Sequence, residues 1–195
     1  MTTSYWFVRH GPTHAKGFCG HTDLPADLSD TAQIKRLKAY LPKDAKILSS
    51  DLSRARETAK AVWDGQHWLP EAPEFREMNF GDWEGQDFET VEKSDPALWR
   101  AFWKYPDITA PPNGESWPQL TSRIGAALKA LHQGGPQGDI IITAHFAVIL
   151  AALQRATGMP TAAAFSFKIN NFSVTRLDYL HESNNWRVMG VNLMS

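Results

Sequence analysis

The sequence predicts an α/β fold: a three-layer α/β/α sandwich with a mostly parallel central sheet and helices on both faces. Three observations predict it. Strand-like and helix-like segments alternate along most of the chain. Two short apolar runs, Tyr5–Val8 and the Ile-Ile-Ile-Thr-Ala stretch ending at Ala144, each lead into a histidine. A later segment, Phe146 to Thr157, is apolar nearly all round, as a helix buried in such a layer should be.

Taken in order, the aromatic run Tyr5–Val8 is too short for a helix and reads as a buried strand, ending at the loop signal Arg9-His10-Gly11-Pro12. Ser29 can cap a helix running to about Leu41, with Ile34, Leu37 and Leu41 on one face. Ile47–Ser49 reads as a short second strand. A helix then starts near Ser53, with Ala55, Ala59, Val62 and Trp63 sharing a face. Two short helices are predicted from Asp87 to Tyr105, broken near Ser94-Asp95-Pro96, followed by a proline-rich loop over Pro106–Gly114. Ser116 opens a longer helix carrying Trp117, Leu120, Ile124, Leu128 and Leu131 at helical spacing. Asp139–Ala144 is a central strand, Phe146–Thr157 the buried helix, and strands near Phe165–Lys168, Ser173–Tyr179 and Trp186–Asn192 close the chain. No repeat, low-complexity tract or linker divides it, and 195 residues suit one domain with a substantial core.

Composition narrows the function. The formal charge is −1 and no block of like charge occurs, so nothing marks a nucleic-acid or anionic-membrane surface. One cysteine, Cys19, cannot make an intramolecular disulfide. The start has no charged region followed by a long apolar run, and no stretch approaches the ~18 apolar residues of a membrane helix. A cytoplasmic location is the default expectation, and a homodimer is left open.

Open α/β sheets bind ligands beyond the carboxyl ends of their strands. His10 and His145 each follow a predicted strand there, and Arg9 and Arg54 fall at the same edge. A phosphate monoester needs its charge neutralised before a nucleophile can approach. Arginine does this with a planar fork that stays protonated. A neutral imidazole can attack phosphorus, and with a reference pKa near ~6.5 a histidine beside arginines should stay neutral. Glu77 is the candidate acid for the leaving alkoxide, provided its pKa is raised. Taken singly, each histidine would be a core residue with a hydrogen-bond partner and each arginine a solvated charge. His10, His14 and His21 could be imagined on zinc, but their spacing fits no ligand pattern.

The motifs that carry these residues resemble those of a known family. Val8-Arg9-His10-Gly11-Pro12-Thr13 resembles the RHG signature of the histidine phosphatase superfamily, the phosphoglycerate mutase-like proteins. Ser49 to Ala59 is similar to its second arginine motif, and Arg76 to Gly85 to its acid motif. Asn113-Gly114-Glu115-Ser116 resembles the loop before its long helix, and Thr143-Ala144-His145 its second histidine. Five motifs in the family's order span nearly the whole chain.

The resemblance implies a single histidine phosphatase domain over residues 1–195, with about 86–117 as a helical, cap-like insertion. His10 would be the phosphorylated nucleophile and Glu77 the general acid. Arg9, Arg54 and His145 would hold the phosphate, with backbone N–H groups after His145, at Phe146, completing the pocket. No metal or organic cofactor is implied. Two positions depart from relatives: Phe146 stands where glycine is usual, and Lys16 where many have asparagine; Thr13 and His14 would be outer contacts. The stretch Gly17 to Pro25 and the loop Pro111 to Ser116 look like the α-ribazole phosphatase-like branch of cobalamin assembly. The expected partner is then a small phosphorylated metabolite such as α-ribazole phosphate. Phe88, Trp99, Phe102 and Trp103 could stack on its base or simply pack the cap. Mutase-type phosphoryl transfer and a non-catalytic phospho-ligand binder are the alternatives.

Overall fold

The computed structural model describes residues 1–65, 67–133 and 138–194. Five strands form one sheet: β1 (Thr2–Arg9), β2 (Lys46–Ser49), β3 (Gly138–Ala144), β4 (Val174–Leu180) and β5 (Asn185–Leu193), in the order β2-β3-β1-β4-β5. β1 and β2 pair with β3 in parallel, while β4 runs antiparallel to both β1 and β5. Four strands therefore share one direction and only β4 opposes them.

The helices are α1 (Thr31–Tyr40), α2 (Ser53–Val62), α3 (Phe88–Ser94), α4 (Pro96–Lys104), α5 (Trp117–Gln133), α6 (Phe146–Thr157) and α7 (Thr161–Ala164). Side chains alternate across β1, so its two faces feed two cores. Tyr5 and Phe7 pack with Leu120, Ile124 and Leu150 of α5 and α6. Trp6 and Val8 pack with Leu37 and Val62 of α1 and α2. That alternation makes the three layers. Every residue from Ala147 to Leu153 is buried, which explains the unbroken apolar composition of α6.

Local chemistry sets the boundaries. α1 is capped by Asp30, whose carboxylate accepts the Gln33 N–H at 2.9 Å, and not by Ser29. Ser29 instead gives its own N–H to Asp27, which delays the helix by one residue. Asp95 caps α4 with Pro96 at the first helical position, so the break between α3 and α4 is where the sequence places it. The strand expected near Phe165–Lys168 does not form. Its alternation mimics a strand, but the segment lies after the short helix α7 and no ladder pairs it; Phe165 turns inward to meet Trp117 with ring centroids 4.6 Å apart. Among the described residues, no helix is long and apolar enough to cross a membrane.

Candidate active site

Register brings the two histidines together. The parallel pairing of β1 with β3 sets Arg9 opposite Ala144, so the next residues, His10 and His145, leave adjacent strands side by side. Their ring centroids are 5.0 Å apart. β2 flanks β3 on the other side, and the turn after it delivers Arg54 on the first turn of α2. Glu77 arrives from the irregular segment between α2 and α3. Arg9, His10, Arg54 and Glu77 line one cavity of about 600 Å³, and His145 is wholly buried beside His10.

Hydrogen bonds fix what each ring nitrogen can do. His10 Nδ1 lies 2.6 Å from the Gly11 carbonyl, which can only accept, so the proton sits on Nδ1 and Nε2 keeps its lone pair. His145 is the opposite case: its Nδ1 accepts from Arg54 Nε at 3.3 Å, so its Nε2 carries a proton. Among the described residues that buried Nε2 has no partner, and neither has Arg9 Nε. Two buried donors without acceptors beside a free imidazole lone pair describe an anion site.

Arg54 is less available than its type suggested. Nη1 donates to the Thr22 carbonyl at 2.8 Å, and Nη2 to those of Gly20 and Cys19 at 2.5 and 3.4 Å. With Nε on His145, one guanidinium proton on Nη1 is left, so Arg54 supplies charge and orientation more than a two-pronged grip. Arg9 Nη1 is anchored on the Ile169 carbonyl at 2.5 Å, and its guanidinium lies 5.3 Å from the Phe146 ring centroid.

The electrostatics follow from burial. Desolvation first, then Arg54 and Arg9, push His10 down to about 3 against the opposing Gly11 bond. Burial, with His10 and Arg54, holds His145 well below the ordinary histidine value. Both rings are neutral near pH 7. Burial also raises Glu77, against the Met78 and Ala147 N–H groups and the arginines. Its Oε1 accepts from Met78 N at 3.0 Å and from Ala147 N at 3.1 Å. The Ala147 N–H at the start of α6 is thus given to Glu77. Phe146 contributes a cavity-lining ring beside Arg9.

Several supporting residues had no legible signal. Thr58 Oγ1 accepts the Gly11 N–H at 2.9 Å, and Asn171 Nδ2 donates to the His10 carbonyl at 2.7 Å. Gly11 is required for space: a Cβ there would lie 2.7 Å from the Phe172 ring and 2.9 Å from the Asp27 carbonyl. Arg123 binds the carbonyls of Glu74, Arg76 and Glu77 and the Glu115 carboxylate, fixing the backbone that carries the acid. Only the Glu115 loop motif hinted at that clamp. Thr13 lines the cavity, whereas His14 bonds Asp27 at 2.7 Å on the surface and Lys16 is exposed outside the lining. His21 Nε2 donates to the Glu77 carbonyl at 3.0 Å.

Phe18, Phe80, Phe88, Phe102 and Trp103 form an aromatic part of the cavity wall. α3 and α4 supply three of these rings: Phe88 and Phe102 pack against Phe18, Phe102 also against Trp83, and Trp103 against Phe102.

The family model described as the histidine phosphatase superfamily (branch 1) matches residues 5–192. The chain is 31% identical over 186 residues to the adenosylcobalamin/alpha-ribazole phosphatase of Salmonella typhimurium, covering 89% of each. It is 30% identical over 201 residues to PhoE of Bacillus subtilis, named as an uncharacterized phosphatase, covering 99% of this chain and 96% of that one. A putative alpha-ribazole-5'-P phosphatase from Escherichia coli superposes with a TM-score of 0.87 over 99% of this chain and 97% of that one; at 24% identity this bears on the fold alone.

Proposed function

The chain belongs to the histidine phosphatase superfamily and is a phosphatase of that superfamily, and from this premise we propose that it hydrolyses a small phosphate monoester through a phosphohistidine on His10. The observation that carries the proposal is the free His10 Nε2 beside two unpartnered donors, Arg9 Nε and His145 Nε2. Phosphate oxygens satisfy both donors. Nε2 attacks phosphorus, the bond to the ester oxygen breaks, and Glu77, whose pKa burial raises, gives the proton of its acid form to the departing alkoxide. Water then attacks the phosphohistidine, Glu77 takes its proton back, and inorganic phosphate leaves with His10 restored. Arg9 and Arg54 supply the charge neutralisation.

Among the residues lining the cavity, Arg9 and Arg54 are the only lysines or arginines, and both sit at the histidines. Among the described residues the lining offers no further lysine or arginine for a second phosphate of a bisphosphate, which favours hydrolysis over mutase-type transfer. The aromatic wall suits a leaving group with a flat, uncharged ring. The substrate proposed is therefore α-ribazole phosphate or a close relative, in the cytoplasm, with residues of about 86–117 acting as a cap over a single catalytic domain.

Hydrolysis of p-nitrophenyl phosphate in the presence of a chelator, comparing the native chain with His10→Ala, tests the mechanism. Activity should survive the chelator and vanish in the variant. Persistent activity in His10→Ala would overturn it. The substrate assignment fails if α-ribazole phosphate is turned over no faster than a generic aryl phosphate.

A further inference from the structure

Arg54 is a buried cation whose hydrogen bonds all go to neutral acceptors: three loop carbonyls and the His145 ring. Carbonyls in an irregular loop can aim a guanidinium only if the loop itself is fixed. Here one carboxylate fixes it. Glu84 Oε1 accepts the N–H groups of His21 at 2.6 Å and Phe80 at 3.2 Å, while Oε2 accepts the Thr22 N–H at 2.6 Å and the Thr22 hydroxyl. The fit leaves no spare room. A Cβ on Gly20 would lie 2.3 Å from Glu84 Oε1 and 2.2 Å from the Met78 carbonyl. Burial disfavours the charge on Glu84, but the donors from Thr22, His21 and Phe80 outweigh it and hold the pKa below the ordinary carboxylate range. The clamp is therefore an anion at any working pH.

We propose that Glu84 is a positioning residue for the phosphate cradle, acting through residues 19–22 to hold Arg54 against His145 and so keep that histidine in its Nε2–H form. The inference rests on the function proposed above. Glu84 is not among the residues lining the cavity, so it acts only through others. The consequence is chemical and specific. Arg54 Nε is the donor that assigns the His145 proton. If the loop loosens and Arg54 retreats, a proton can move to Nδ1, and His145 then presents a lone pair to the phosphate where it should present a donor.

Glu84→Gln keeps the shape but turns one acceptor oxygen into an amide that faces N–H groups. In the full chain, ¹⁵N NMR of the His145 ring and kinetics on p-nitrophenyl phosphate, both well below the melting temperature, read the effect. The Nδ1–H tautomer should appear, and kcat/KM should fall by about 10–100-fold, the scale of small misplacements in an active site. In an Arg54→Ala background the same change should have no further effect on kcat/KM, because the two residues act in series. Thr22→Val, which removes only the hydroxyl, should shift the tautomer in the same direction by less and serves if Glu84→Gln does not fold. An unchanged His145 tautomer, or the same fold-loss with and without Arg54, would overturn the proposal. The NMR measurement needs no turnover, so a chain without phosphatase activity would sink the functional reading and leave this one still decided by the ring signals.

Discussion

On the floor of the cavity each polar side chain is held by a hydrogen bond with a definite direction, whereas the wall is held by ring packing. His10 is oriented by Gly11, His145 by Arg54, Arg54 by three carbonyls, and Glu77 by two N–H groups. In the wall, Phe18 lies 4.7 Å from Phe80, 5.2 Å from Trp83 and 4.9 Å from Phe88 between ring centroids, and Phe102 lies 5.0 Å from Trp103. Packing is non-directional and tolerates repacking; a hydrogen bond between buried groups does not. The floor can therefore carry a single chemistry while the wall is free to set which leaving group enters.

Three measurements bear on that division, the largest effect first. Glu77→Gln should slow hydrolysis of an alkyl phosphate by about 10²–10⁴, the usual range for general acid–base catalysis, and much less for p-nitrophenyl phosphate, whose leaving group needs no proton. The native kcat/KM should also decline as pH rises through the raised Glu77 pKa, and that limb should disappear in the variant. Equal losses on both substrates would remove Glu77 from the acid role.

The second concerns stability. His10 is depressed to about 3 when folded, so below its unfolded value near ~6.5 the unfolded chain binds a proton that the folded chain refuses. Acid therefore favours unfolding across that window, by on the order of 2 kcal/mol at about pH 5 from this one group. His10→Asn should flatten the fall of Tm between about pH 6.5 and 3 by several degrees. A slope as steep as the native one would mean that His10 is not buried in neutral form.

The smallest effect belongs to the wall. Trp103 lines the cavity yet is 50% exposed, so truncating it costs little packing. Trp103→Ala should lower kcat/KM for α-ribazole phosphate by roughly 2–10-fold, the worth of one aromatic stack, and leave inorganic phosphate inhibition unchanged. Weakened phosphate inhibition would show that floor and wall are not independent.

Much of this was legible because it is local. Apolar runs of strand length, the Asp95-Pro96 break and the all-round apolar α6 follow from propensity and patterning within a few residues, and they place His10, Arg54 and His145 at the ends of their elements. Phe165–Lys168 shows the limit of such reasoning, since a period-2 pattern becomes a strand only when a neighbour offers hydrogen bonds. What the sequence by itself determined, then, was the kind of residue at each strand end and the class of fold that gathers them. Tertiary structure alone decided which strand lies beside which, which nitrogen of each histidine holds its proton, that Arg54 is largely consumed by loop carbonyls, and that Glu84 anchors that loop from more than 60 residues away in the chain. The physical reason is that a hydrogen bond depends on ångström distances between groups remote in sequence, and no pattern within the chain encodes those distances locally.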